Sequence, residues 1–265
     1  MDKHYWNIFS KELQILTITI TAILLIIIYI VIKSSNIISA VFTAIAAVIA
    51  LFAYLQSIKT RMNSSFDAIF TQLLASLHSF FYTDYVKKTR LKQGNIVSVG
   101  NISIGIDPDL NVFLNFCTFY QTYFKRKGDT FSVQEISQIW KAYSNALLYE
   151  SDFLICFKYL YHTIDTVSKF SLDEKTKRQY IGIIQSQLNL DVLFCYLINQ
   201  IVMADDKENE FTHTLKNYDF FKDLYEDGDR YKTLAINSIP DNINNFFYEN
   251  TENIPCYDRP FLSCQ

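Results

Sequence analysis

Two long runs without a charge, a glycine or a proline lie between Leu13 and Leu55, and no other feature limits the fold as strongly. The first is Ile15–Ile32 and the second Ile37–Leu55, with Lys33-Ser34-Ser35-Asn36 between them. A helix rises about 1.5 Å per residue, so roughly 20 apolar residues cross a hydrocarbon core of about 30 Å. Each run is long enough alone. A buried hairpin in a soluble protein is the alternative, and two consecutive uncharged runs weigh against it. The expected layout is a flank at 1–12, a transmembrane helical hairpin at 13–55, a helical domain at 56–238 and a Pro/Asn-rich tail at 239–265. The fold class is all-α.

Orientation rests on Lys and Arg beside the spans. Lys3 and Lys11 precede the first, Lys33 alone lies in the turn, and Lys59 and Arg61 follow the second. Both termini are therefore expected on the cytoplasmic side of the membrane. The second span is alanine-rich, and Ala40, Ala44, Ala46, Ala47 and Ala50 are candidates for close helix packing. Small residues let helices approach in lipid, where packing drives association. They could serve the hairpin itself or a homo-oligomer. Neither run carries an Asp, Glu, Lys, Arg or His, which argues against a pump or coupled transporter.

The net charge of −3 offers no basic excess, so nucleic acid is not an expected partner. Five cysteines without a C-x-x-C pair indicate neither a zinc site nor a disulfide framework. Cys117, Cys156 and Cys195 sit in apolar helical stretches, where a thiol packs as a small hydrophobe. No cofactor or metal is expected.

After the spans, apolar residues recur at three- and four-residue steps from Phe66 to Phe81, which predicts a helix over 67–85 that can continue the second span. The stretch 93–106 breaks that pattern and predicts a short hairpin or loop around Gly100-Asn101. Asp107-Pro108 predicts the start of a helix that stops near Gly128. Ser132 and Glu135 form a capping box, with Phe131 and Ile136 as its hydrophobic staple. A second box at Ser171–Glu174 predicts one helix running to about Met203, and a short helix is expected over 211–224. The tail holds Pro240, Pro255 and Pro260 and is expected to be irregular.

No motif requires an enzyme: the chain lacks a Gly-rich phosphate loop, H-E-x-x-H and G-x-S-x-G. Helical antiviral ribonucleases of the HEPN type carry His four to six residues after Arg, and no Arg here does. Lys158 with His162, one helical turn apart, is the nearest analogue, and Lys lacks the planar fork that suits a phosphate. A solvated polar face is the simpler account of that pair.

Three stretches carry a resemblance: Phe157–His162, Tyr180–Asn199 and Phe211–Leu224. They resemble the AbiC-like family of phage abortive infection membrane proteins, in which two N-terminal spans precede a helical cytoplasmic domain. Phe157, Leu160, Tyr161 and His162 match the first motif, and Tyr180, Gln187, Leu188, Leu193 and Asn199 the second. Phe211, Leu215, Tyr218 and Phe221 match the third. Lys158 stands where the motif has Arg, Gln185 and Ser186 replace Arg-Ala, Asn189 replaces Ser, and Val192 replaces Glu. The resemblance implies an anti-phage effector that disrupts the inner membrane on a phage-linked cue. The alternative is a non-enzymatic membrane-anchored sensor or scaffold. Expected partners are the lipid bilayer, further copies of the chain, and a companion defence protein or phage component.

Overall fold

The computed structural model describes positions 22, 25, 26 and 29 and residues 37–81, 84–204, 207–226 and 229–248. The chain divides into two compact units, Met1–Asp67 and Ala68–Gln265. Helix α1, Ile37–Phe81, runs unbroken for 45 residues across that boundary. The expected continuation of the second apolar run into the following helix is therefore present.

Within the first unit, α1 exposes Ile45, Val48, Ile49 and Phe52, the last at 68% of its surface. Ala46 and Ala50 are exposed, Ala47 is half-buried, and the side chains of Ala40 and Ala44 fall outside the description. Contiguous exposed apolar surface of this kind marks a membrane or protein contact. Among the described residues, α1 is the one helix long and apolar enough by itself to cross a membrane. The first run, Ile15–Ile32, lies outside the described residues apart from Ala22, Leu25, Ile26 and Tyr29, which are helical.

The second unit is mostly helical. Short α2, Asp84–Lys87, leads to a two-stranded antiparallel hairpin of β1, Ile96–Val99, and β2, Ile102–Gly105. The turn uses Gly100 at φ +55°, a backbone region that favours glycine. Next come α3, Val112–Lys127, α4, Val133–Ala146, and α5, Glu150–Lys169. They are followed by α6, Glu174–Ser186, α7, Leu190–Ala204, and α8, Glu210–Asn217. The chain continues as α9, Lys222–Glu226, α10, Asp229–Ser238, and α11, Asp241–Asn244.

α7 is the central helix. Val192 through Ile198 are all buried, and α3, α4, α9 and α10 pack around it. A helix that is apolar all round belongs in a core. Beside it the aromatic residues form one connected cluster. Phe116 lies 5.0 Å from Trp140 and 5.2 Å from Tyr143 between ring centroids, and Phe113 lies 5.7 Å from Phe153. Edge-to-face ring pairs contribute about 0.5–1.5 kcal/mol beyond area burial. The buried Tyr143 hydroxyl finds its partner at a helix end, donating to Val112 O at 2.7 Å. Cys117, Cys156 and Cys195 are free and buried in this core.

The capping box at α4 is present, with both Ser132 and Glu135 closing it and Phe131 and Ile136 fully buried. Lys127 bonds the Glu135 carboxylate and holds its pKa below the usual range. A depressed folded pKa adds stability that is present at neutral pH and lost as the pH falls through the carboxylate range. Ser132→Ala is expected to cost about 1 kcal/mol in urea unfolding, and an unchanged midpoint would show that the cap is dispensable.

Five expectations need correction. Asp107 does not cap α3: its carboxylate accepts from Asp109 N in a turn, and Asn111 caps the helix through Leu114 N at 2.7 Å. Asp173, not Ser171, caps α6, accepting from Thr176 N at 3.0 Å. The helix expected to reach Met203 is two helices bent by 113°, because Asn189 accepts from Val192 N at 2.9 Å and starts α7 afresh. The helix expected over 211–224 breaks at Asp219, which adopts φ 52°. The described part of the tail is not irregular. Ile239, Ile243 and Phe247 are buried, and Asn244 Nδ2 donates to Ala235 O and Ile239 O. A four-residue apolar spacing hidden among asparagines accounts for that turn.

Candidate functional site

One face of α5 presents Leu154, Phe157, Lys158, Tyr161, His162, Asp165 and Lys169 at three- and four-residue steps. Residues at that spacing lie above one another on a helix. They form one wall of a groove of about 1070 Å³ within the second unit. α6 supplies Glu174, Lys177 and Arg178, the C-terminal half of α7 supplies Asn199, Gln200 and Met203, and α8 with its flanks supplies Asn209, Glu210, Phe211, Thr214, Asn217 and Tyr218.

The floor and walls are aromatic. Tyr161 packs on Phe211 with ring centroids 4.4 Å apart. Phe157, 2% exposed, lies nearly parallel to Tyr196 at 6.0 Å and joins the groove to the core. Among the described residues the buried Tyr196 hydroxyl has no hydrogen-bond partner, and burial pushes its pKa well up. An unmet buried hydroxyl costs about 1–3 kcal/mol. Gln200 is 7% exposed and makes a long hydrogen bond, 3.4 Å from its Nε2 to Asn199 Oδ1.

Polar contacts close one end. Tyr218 Oη donates to Glu174 Oε2 at 3.1 Å, and the Arg178 guanidinium lies over the Tyr218 ring while donating to Asn217 O at 2.7 Å. Burial, with the bond to Glu174, pushes the Tyr218 phenol up to about 12. Lys177 beside Glu174 holds that carboxyl below its ordinary value. Asp165 bonds Lys169 at 2.7 Å and raises the lysine pKa. These pairs leave Lys158 and His162 exposed to the groove with no hydrogen bond or ion pair to another described residue.

The motif positions divide. Phe157, Tyr161, His162, Asn199, Phe211 and Tyr218 line this groove, although the stretches that contain them are well separated in sequence. Leu160 faces the core instead, fully buried. Tyr180 packs away from the groove on Phe70 of α1, 4.6 Å between centroids, and Gln187 and Leu188 form the bend between α6 and α7. Sequence reasoning missed Gln200, Asn209 and Asp165. Asp165 was detectable, since it follows Tyr161 by one turn on the same face. Gln200 was not, because only the 113° bend turns its side of α7 toward the groove. Among the described residues, no cluster of His, Cys, Asp and Glu is placed to hold a metal ion. No family model, curated protein or solved structure matches the chain.

Proposed function

We propose that this chain is an anti-phage membrane effector of the abortive infection kind, whose groove receives the cue and whose apolar spans act on the inner membrane. The convergence of three separated stretches on one groove carries the proposal. In it, residues 13–55 form a two-span hairpin with both termini cytoplasmic. The exposed apolar face of α1 supports a lipid-facing role. Coupling would run through the helices that wall the groove. α6 packs Tyr180 on Phe70, and α5 packs Tyr159 on Phe80 at 4.6 Å, so both touch α1 from the side away from the groove. A cue that favours one arrangement of α5 and α6 would shift α1 in proportion to its differential affinity. The Ala-rich spans would then assemble and permeabilise the membrane.

The test is phage challenge of bacteria expressing the protein, with membrane potential and total RNA followed together. Depolarisation before lysis with intact RNA is the expected result. Intact potential with degraded RNA would overturn it and place an activity in the helical unit. Ala44→Phe and Ala47→Phe are expected to abolish protection at normal expression, and full protection by both would exclude close span packing. A membrane-anchored sensor or scaffold for a companion protein is the second reading, favoured by the size and polarity of the groove. Replacing residues 13–55 by an unrelated two-span anchor separates the two, because a scaffold should still protect.

A further inference from the structure

The groove also narrows the chemistry of what it holds, an inference that rests on its role as the cue site. Its lining cations and carboxylates mostly neutralise one another, through Lys169 with Asp165 and Lys177 with Glu174. Asp173 already accepts from Thr176 N at the start of α6, and Asn209 from Phe211 N and Thr212 N at the start of α8, so capping side chains occupy both helix ends. Beyond those pairs the groove keeps the Lys158 cation of α5, one turn from His162, and the Glu210 carboxylate of α8, which acts on Lys169. Near them lie the half-buried rings of Tyr161 and Phe211 and the amides of Asn199 and Gln200.

A peptide fits this arrangement poorly. The walls are helices, which offer no strand edge, and the charges of α6 interrupt any apolar trough for an amphipathic helix. A lipid tail would leave the buried amide of Gln200, which lines the groove, with only its long bond to Asn199. Flat rings, amides and an unpaired cation together suit a ligand with a planar heterocycle, hydrogen-bonding edges and a phosphate. Stacking on aromatic side chains serves any base, and amides read its edge. The volume of about 1070 Å³ exceeds the upper part of the usual small-ligand range, so there is room for more than a mononucleotide.

We infer that the groove binds a nucleoside phosphate, with the base against Tyr161 and Phe211 and the phosphate at Lys158 and His162. The ligand is bound and not transformed.

The test uses the full chain in detergent micelles and isothermal titration with adenosine and guanosine mono-, di- and triphosphates, followed by recovery of the nucleotide. At least one should bind saturably and be recovered unchanged. Lys158→Ala should weaken it tenfold or more, and the matching nucleoside should bind more weakly and ignore that substitution. Asn199→Leu should weaken nucleotide and nucleoside alike. No saturable binding at millimolar nucleotide overturns the inference, as does equal binding of inorganic phosphate, which would mean an anion site without base recognition. Recovery of a cleaved product overturns the binding-only role. The two proposals fail separately. Groove variants that lose protection in a protein that binds no nucleotide leave the cue site standing and remove this ligand class. Variants that lose nucleotide but still protect do the reverse.

Discussion

Phe116→Ala is expected to lower the unfolding free energy of the helical unit by about 3–5 kcal/mol. Phe116 is fully buried, and its ring meets Tyr120, Trp140 and Tyr143 within 6 Å between centroids, at 5.9, 5.0 and 5.2 Å. Truncation removes the transfer free energy of the ring and leaves a cavity that these large, interlocked neighbours cannot fill. The cost falls at the high end because three ring contacts are lost together. A typical domain has only about 5–15 kcal/mol in total, so the variant should unfold at a visibly lower temperature or fail to accumulate. Circular dichroism melting checks this, with Phe116→Leu as the milder companion. A melting point within a degree or two of the parent for Phe116→Ala would mean that the aromatic cluster is not the core.

Tyr161→Ala should do the opposite: spare the fold and remove the activity. Tyr161 is half-buried, sits on Phe211 at 4.4 Å and belongs to the groove, not to the ring cluster behind it. Losing an aromatic contact with a bound cue should cost about 2 kcal/mol of affinity, roughly thirtyfold. Protection against phage should then disappear at cue concentrations that suffice for the parent protein. Thermal melting should change little. Tyr180→Ala provides the matching control, since it breaks the contact with Phe70 while leaving the groove lining intact. It should bind the cue normally and fail to respond. Full protection by Tyr161→Ala would remove the groove from the mechanism, and full protection by Tyr180→Ala would remove this route of coupling.

Much of the fold was legible because it is local. The stripe from Phe66 to Phe81 predicts the helix that is found, the alternation around Gly100 predicts the hairpin, and Ser132 with Glu135 predicts the cap. Three of the failures are of one kind. At Asp107, Asp173 and Asn189 a short polar side chain could cap a helix or close a turn, and the same residue types serve both ends. Which one won depended on what lay beneath. Asn189 starts a new helix because α7 dives into the core there, and Asp107 is held in a turn whose carbonyl accepts from buried Asn115 at 2.6 Å.

Half of the candidate site was legible in the same sense. Phe157, Tyr161 and His162 share one face of one helix, which spacing alone establishes. That Asn199, Phe211 and Tyr218 complete the same groove is not written in any periodicity, since they come from other helices and other turns. The sequence by itself determined the apolar runs, the helical class, the hairpin and the cap, because each depends on residues within a few positions of one another. Only the tertiary structure decided the 113° bend before α7 and the groove it opens. Both arise from burying Val192 through Ile198 of α7 on every side, and burial on every side leaves no periodic trace in the chain.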